Sequence, residues 1–307
     1  KMCYKSRMSL PLVEKVSFRD AESTERSLNA VWGLIELREC LIREGTDQSL
    51  LMSVNDRLTS FLSQYKAVVG SDHAVTSEIS NRGYVDDGSR AWQLMTMSVT
   101  DDQSAIDRDV EKDIIPAVGI TGLIRAGKGI AGKILSVEYS GIHTPFVESL
   151  IAYSYALGYL PDTDRVAKRE VNDLIKPRFG NTTFAEASIR RAKRRASGRH
   201  IRVLSFDGLR SVDEARLFLD RPMRRLIAIE ASLETRYRRA RESTDASKYG
   251  EKPKTWESFV VDSEFERIHM MGPAIDLAQI TFPNEGEEFE LTKQLVEYFD
   301  PIIGEWK

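Results

Sequence analysis

The sequence predicts an α/β protein, a mainly parallel sheet covered on both faces by helices and preceded by a small helical unit. Three observations predict it. After Pro11 no proline occurs until Pro116. So long a stretch without proline favours helix, because proline removes a helical donor and clashes with the preceding turn. Residues 1–113 hold 14 basic and 19 acidic residues, a net of −5, whereas residues 114–307 carry a net of +2. That shift marks a boundary near residue 113. Beyond it, short apolar runs alternate with amphipathic stretches, the pattern of strands and crossover helices.

The elements follow in order. Leu28, Val31, Leu34, Ile35, Leu41 and Ile42 form a helical stripe over Ser27–Ile42, and Leu51, Val54, Leu58, Phe61, Leu62 and Tyr65 form a second. Residues 71–88 are polar and glycine-containing and read as a loop. Helices are expected over Arg90–Met97 and Gln103–Asp113. Ile114–Thr121 reads as a buried strand, and Gly122–Gly129 as a glycine-punctuated turn into a helix from Ile130. Further helices are expected at Phe146–Leu157, Asp164–Leu174, Phe184–Arg195, Val212–Leu219, Leu233–Arg241 and Glu287–Phe299. Strands are expected at Ile201–Phe206, Leu226–Ala231 and Ala278–Phe282.

The 307 residues suit two domains, divided as 1–113 and 114–307. The net charge of −3, with 41% hydrophobic and 30% charged residues, is that of an ordinary globular chain and excludes a bulk polyanion binder. No apolar run approaches the roughly 18 residues that span a bilayer, so no membrane role is expected. Cys3 and Cys40 form no CxxC pair, and four histidines leave no Cys/His zinc cluster to propose. A reducing compartment follows, either the cytoplasm or, if Lys1, Lys5 and Arg7 belong to a trimmed targeting segment, an organelle interior. Glu22, Glu25, Glu36 and Glu39 sit near helical spacing and imitate a carboxylate metal set, but a solvated helix face is the better reading.

The strongest motif is Gly122-Leu-Ile-Arg-Ala-Gly127-Lys128-Gly129, the G-x-x-x-x-G-K part of a P-loop. Its glycines let successive amides turn inward at a phosphate, and the helix that follows offers its N-terminus to the same anion. Gly122, Arg125, Ala126, Gly127, Lys128, Gly129 and Ile130 are the expected nucleotide-binding residues, with Lys128 reaching the outer phosphates as a point charge. Two features depart from the usual pattern. Gly129 stands where a Ser/Thr hydroxyl would hold Mg²⁺, and Arg125 lies where glycine or serine is common.

Asp207-Gly-Leu-Arg210 closes the Ile201–Phe206 strand. A carboxylate at a strand end beside a P-loop can hold Mg²⁺ through water or orient an acceptor, and an arginine three residues on can clamp a substrate phosphate. Arg236, Arg238, Arg239 and Arg241 precede the polar stretch Glu242–Lys254 and suggest a lid whose arginines stabilise a moving phosphoryl group.

Together, Gly122–Gly129, Asp207–Glu214, Ala231–Arg239, Lys252–Phe259 and Asn284-Glu-Gly286 resemble the P-loop nucleoside monophosphate kinase superfamily. They look most like an archaeal group of dephospho-CoA-kinase-related, adenylate-kinase-like P-loop proteins. The resemblance covers residues 114–300 and leaves out residues 1–113. It implies a three-layer fold with a five-stranded parallel sheet, an ATP donor, Mg²⁺ and phosphoryl transfer to a nucleotide or nucleotide-like acceptor. It implies Lys128, Asp207, Arg236 and Arg239 as catalytic, Asp207 as serving the metal or acceptor, Arg210 on the acceptor side and Asn284 beside the donor base. The acceptor arginine of the family is missing from Gly141–Ser149, where His143 or Glu148 either compensates or is structural, the structural role being the better reading.

Two other readings stay open. The fold could serve as a catalytically weak scaffold for nucleic acid or a protein assembly, since Arg190–Arg202 holds seven Lys/Arg in 13 residues. A solvated helix face accounts for the same stripe. Alternatively, the acceptor hydroxyl lies within a nucleic acid. The N-terminal helical unit could dock a protein partner, with Trp32 and Trp92 as anchors or as core.

Overall fold

The structure is a computed structural model that describes residues 10–14, 21–45, 48–69, 115–159, 165–196, 200–219, 221–242 and 255–305. The expected loop 71–88, the helices at 90–97 and 103–113, Trp92 and most of the expected lid stretch lie outside the described residues.

The first unit begins with α1 (Ala21–Glu44) and α2 (Gln48–Val69). Most of the described stripe residues are buried, with Val31, Leu34, Leu58 and Phe61 at or near zero exposure, but Ile42, at the end of the first stripe, is 39% exposed, and the side chains of Leu62 and Tyr65 lie outside the described residues. Trp32 is core, at 3% exposed. Glu36 and Glu39 are buried too, at 1% and 7%, so this face of α1 is not the solvated one expected. Periodicity missed this because α1 is covered on more than one side.

The chain then enters a sheet. β1 (Ala117–Thr121) leads through the glycine-rich turn into α3 (Lys128–Glu138), then β2 (Ile142–His143), α4 (Phe146–Ala156), α5 (Arg165–Phe179) and α6 (Thr183–Ala196). β3 (Leu204–Asp207), α7 (Val212–Arg216), β4 (Arg224–Glu230) and α8 (Leu233–Glu242) follow. The last part runs α9 (Trp256–Glu266), a π turn (Arg267–Met271), α10 (Gly272–Ile275), β5 (Ile280–Pro283) and α11 (Glu288–Glu305). All strand pairs are parallel, in the order β2-β3-β1-β4-β5.

The predicted three-layer α/β fold with a five-stranded parallel sheet is what the structure shows. Alternation along β1 separates the layers. Val118 and Ile120 pack with Ala131, Ile134 and Leu135 of α3 and with Leu291, Leu295 and Phe299 of α11. Ala117 packs on the other side with Ala185, Ile189 and Ala192 of α6 and with Phe206, Phe218 and Leu226. A Cβ at Gly119 would lie 2.6 Å from the Phe218 ring, so the small residue in mid-strand makes room for the aromatic group of Phe146, Phe206 and Phe218.

Several boundaries differ from expectation. β1 starts at Ala117 because Pro116 has no amide to donate, although its carbonyl accepts from Leu204. β4 begins two residues earlier than its apolar run, since Arg224 pairs with Ala117 and hides its guanidinium on the Leu217 carbonyl at 2.6 Å. β2 was not expected, because two residues carry no readable alternation, and helical structure over 256–275 was also not expected.

Two compact units emerge, one of residues 1–105 with 150–179 and one of 106–149 with 180–307. The division expected at 113/114 put residues 150–179 with the sheet. They group instead with the N-terminal helices. Gly33 leaves the room that the Ala152 carbonyl fills, Cys40 Sγ lies 3.3 Å from the Tyr153 hydroxyl, and the Val13 amide donates to Ala156 at 2.8 Å. Such contacts join residues over a hundred positions apart and leave no local trace. Among the described residues no helix is long and apolar enough to cross a membrane.

Candidate functional site

β1 delivers the chain to the C-terminal edge of the sheet, where open α/β sheets bind ligands. Gly122 (φ 144°) and Gly127 (φ 106°) take left-handed conformations, and the Ile229 carbonyl fills the space a side chain at 122 would need. Arg125 is also left-handed, at φ 63°. A non-glycine residue there costs on the order of 1 kcal/mol or more, and such strain gathers at functional sites. Gly127 is the N-cap of α3 and no side chain caps the helix. The loop therefore presents an uncapped helix start, an anion site by charge and by donors. Ile130, in the first turn of α3, is 41% exposed.

Lys128 is folded back on its own loop. Its Nζ donates to the carbonyls of Gly122 at 2.7 Å and Leu123 at 2.9 Å. The residue as a whole is half-buried, but its ammonium is enclosed, and burial lowers its pKa to about 8. Glu266 and Asp207 oppose that fall, while Arg210 and Arg236 add to it. Four of the charged groups around this loop thus act on one ammonium.

Asp207 ends β3, as its place after the apolar run predicts. Its Oδ2 lies 3.2 Å from where a Cβ on residue 129 would stand. Gly129 therefore leaves the space into which the carboxylate leans. His143, at the end of β2, stands behind it. Its Nε2 is 4.0 Å from Asp207 Oδ2, and its Nδ1 is 3.2 Å from Ser205 Oγ, which donates to the Gly132 carbonyl at 3.0 Å. Burial lowers the His143 pKa and Asp207 opposes the fall. Next, Ser211 caps α7 and Glu214 reaches back to the Arg210 amide at 2.7 Å, which fixes the turn. The Arg210 side chain is exposed.

Of the arginine cluster, Arg236 and Arg239 are drawn inward. Arg236 is 5% exposed, donates from Nε to the Ala231 carbonyl at 3.2 Å and lies over the Phe259 ring. Its NH1 is buried and has no hydrogen-bond partner among the described residues. Arg239 bonds weakly, at 3.4 Å, to both Asn284 Oδ1 and the Gly286 carbonyl. Asn284 is buried. Its amide donates to the Ala126 carbonyl at 2.8 Å and its backbone amide to Glu230 at 2.7 Å. The structure thus joins Asn284 to the underside of the phosphate loop. Glu285 accepts from the Ser232 amide and hydroxyl and from Thr235, closing the start of α8 and holding its own pKa below the usual range.

The basic stripe is partly drawn inward over Arg190–Arg195, while Arg202 is exposed and the side chains of Arg194 and Arg199 lie outside the described residues. Arg191 is 5% exposed, Arg190 lies 3.5 Å from Glu186 and Arg195 lies 4.0 Å from Glu148. Ala192 and Ala196 seat this side of α6 in the core. Among the described residues no group of three or more His, Cys, Asp or Glu is placed to hold a metal.

Sequence reading missed Glu266. Its Oε2 accepts from the Ile124 amide of the loop at 2.9 Å, across 142 positions of sequence. A single glutamate among many carries no signal of such a contact.

No protein-family model matches the chain. No curated protein matches it. Among solved structures it is similar to a shikimate kinase from Bacteroides thetaiotaomicron, at 14% identity over 60% of this chain and 98% of that one, TM-score 0.38. A shikimate kinase from Acinetobacter baumannii in complex with shikimate matches at 15% identity over 61% and 94%, TM-score 0.39. TT1252 from Thermus thermophilus matches at 16% over 61% and 98%, TM-score 0.37. The fold assignment stands on the strand order and the glycine loop of the chain itself.

Proposed function

We propose that this chain is a P-loop phosphotransferase that moves the terminal phosphoryl group of ATP to a nucleotide or nucleotide-like acceptor. One observation supports this most. Beside an uncapped helix start on a G-x-x-x-x-G-K loop, the Asp207 carboxylate leans over Gly129 and Arg236 holds a buried NH1 with no hydrogen-bond partner among the described residues. Phosphoryl transfer needs little covalent help from protein and much positioning and charge stabilisation, which is what such a set supplies.

Each residue then has a role. Lys128 leaves the Gly122 and Leu123 carbonyls and grips the donor's outer phosphates. Arg236 brings its buried, unpartnered NH1 to the oxygens of the moving group, and Arg239 joins it from α8. Asn284 holds the loop and flanks the donor base, and Arg210 receives the acceptor at the open side. The acceptor oxygen attacks phosphorus, the bridging P–O bond breaks, and the nucleoside diphosphate leaves.

The residues fit Mg²⁺ despite the absent hydroxyl. Asp207 Oδ2 leans over Gly129, into the neighbourhood a hydroxyl would share. Mg²⁺ commonly keeps several waters and binds through one or two carboxylates together with substrate phosphates. Asp207 is the residue that would hold it, and bound there it would neutralise phosphate charge.

Transfer of labelled phosphate from [γ-³²P]ATP to a panel of nucleotides and hydroxylated small molecules tests the proposal. Transfer by wild type, lost in Lys128→Ala, supports it. Equal behaviour of the two proteins across the panel sinks it.

A further inference from the structure

We infer that Glu266 is a resident anion of the phosphate loop, holding the seat that the donor's terminal phosphate takes over when nucleotide binds. This rests on the nucleotide-binding reading above and adds a competitor to it.

The geometry starts with the element that carries the residue. α9 is pinned by Phe259 and Ser263, which are 2% and 3% exposed. Phe259 and Trp256 pack on Tyr237 of α8, so α9 is held against the helix that bears Arg236. Glu266 is its last residue, immediately before the π turn Arg267–Met271. That turn closes on Gly272, where the Arg267 carbonyl lies so near that no side chain would fit. π turns are rare and are found disproportionately at functional sites. This one rotates the chain directly after Glu266.

The surroundings of the carboxylate are those of a phosphate. It accepts a charge-assisted bond from the Ile124 amide of the loop at 2.9 Å. Of the carboxylates that act on Lys128, Glu266 acts most strongly, and the same holds for Arg236. The carboxylate is therefore bonded to one loop amide, and its charge acts on an ammonium and on a guanidinium whose NH1 has no hydrogen-bond partner among the described residues. A phosphate oxygen would take the same amide and attract the same two cations. Meanwhile Lys128 is bonded to loop carbonyls rather than extended. The loop in this state is satisfied from within.

A ligand that must displace an internal group binds with an affinity reduced by the fraction of chains in which the seat is open. Removing the group removes that reduction. Glutamine at 266 keeps an acceptor for Ile124 but loses the charge, whereas alanine vacates the seat.

The test is calorimetric titration of wild type, Glu266→Gln and Glu266→Ala with ATP, inorganic tripolyphosphate and adenosine. Melting curves establish that each variant is folded. ATP and tripolyphosphate are expected to bind about tenfold tighter to Glu266→Ala, less so to Glu266→Gln, with adenosine unchanged. An equal gain in both variants would mean simple charge repulsion and would overturn occupancy of the seat. Unchanged or weaker binding in both would make Glu266 a prop for the loop and also overturn the inference. Should the alanine variant not fold, Glu266→Ser, which also vacates the seat, takes its place in the same titrations. If Glu266→Ser gains no affinity for ATP or tripolyphosphate over Glu266→Gln, Glu266 is not displaced. If wild type binds ATP through Lys128 and the variants gain nothing, the inference alone fails. If none of the proteins binds ATP or tripolyphosphate, the nucleotide reading fails with it.

Discussion

Replacing Asn284 tests how far the phosphate loop depends on one buried amide. Asn284 is 5% exposed and its Nδ2 donates to the Ala126 carbonyl at 2.8 Å. Asn284→Ala leaves that carbonyl buried without this donor, at a cost of about 1–3 kcal/mol. The Arg239 contact, at 3.4 Å, is too long to add much. A loss near 2 kcal/mol would lower the melting temperature by roughly 4–8 °C in a unit of this size. Asn284→Asp is the sharper perturbation, because it sets a carboxylate oxygen against a carbonyl oxygen. The buried acid escapes by holding a proton and donating it to Ala126, which raises its folded pKa above the unfolded value of about 3.9. A raised folded pKa gives stability that is complete below the unfolded pKa and lost as pH rises through the folded one. Scanning calorimetry from pH 4 to 8 should therefore find Asn284→Asp near wild type at the acid end and falling away from it toward pH 8, while Asn284→Ala keeps a constant deficit. An Asn284→Ala protein within about 0.5 kcal/mol of wild type, or an Asn284→Asp protein parallel to wild type across the range, would refute the reasoning.

Three further outcomes follow from other contacts. In the free chain Lys128 has a pKa of about 8, below the usual 10.5, so near pH 8 about half of the molecules carry a neutral amine there. Nucleotide restores the charge and draws in a proton, which titrations in buffers of different ionisation enthalpy will detect, and Lys128→Met removes that uptake. The same shift makes the unfolded chain hold the extra proton between about pH 8 and 10.5, so this group adds stability as pH rises through that window. Gly129→Ser brings a Cβ to 3.2 Å from Asp207 Oδ2. A small shift of the carboxylate accommodates it, so stability should change by less than about 1.5 kcal/mol, and the Mg²⁺ dependence of nucleotide binding should steepen as a hydroxyl joins the donors. Gly119→Ala drives a methyl to 2.6 Å from the Phe218 ring and should destabilise by about 1–3 kcal/mol in denaturant melts without altering nucleotide affinity in the folded protein.

What was legible in sequence was what local backbone chemistry demands. The two glycines five apart were readable because left-handed turns exclude most side chains, and Gly122 and Gly127 have those angles. Asp207 was readable because an apolar run ends at it. Arg125 was readable only as unusual, since nothing local says that an arginine will bear φ 63°. The arginine cluster was visible as charge, but which arginine is buried depends on Phe259, 23 positions on and in a helix that was not expected. Asn284 was expected beside the donor base, yet its amide is bonded beneath the loop. Glu266, the Arg195–Glu148 pair and the grouping of residues 150–179 with α1 all depend on distant packing, which periodicity and motif spacing do not encode. Charge runs mislead for the same reason. Arg191 and Glu36 look solvated in sequence and are buried in the fold.

The central claim is that the loop holds the phosphates of a nucleotide through Lys128. Its most direct test is calorimetric titration with ATP, with and without Mg²⁺, on wild type and Lys128→Ala. The account predicts binding that Mg²⁺ strengthens and that falls at least about tenfold when the ammonium is removed, a change of about 1.4 kcal/mol. Heat of binding that is absent at millimolar ATP, or identical in the two proteins, would contradict it.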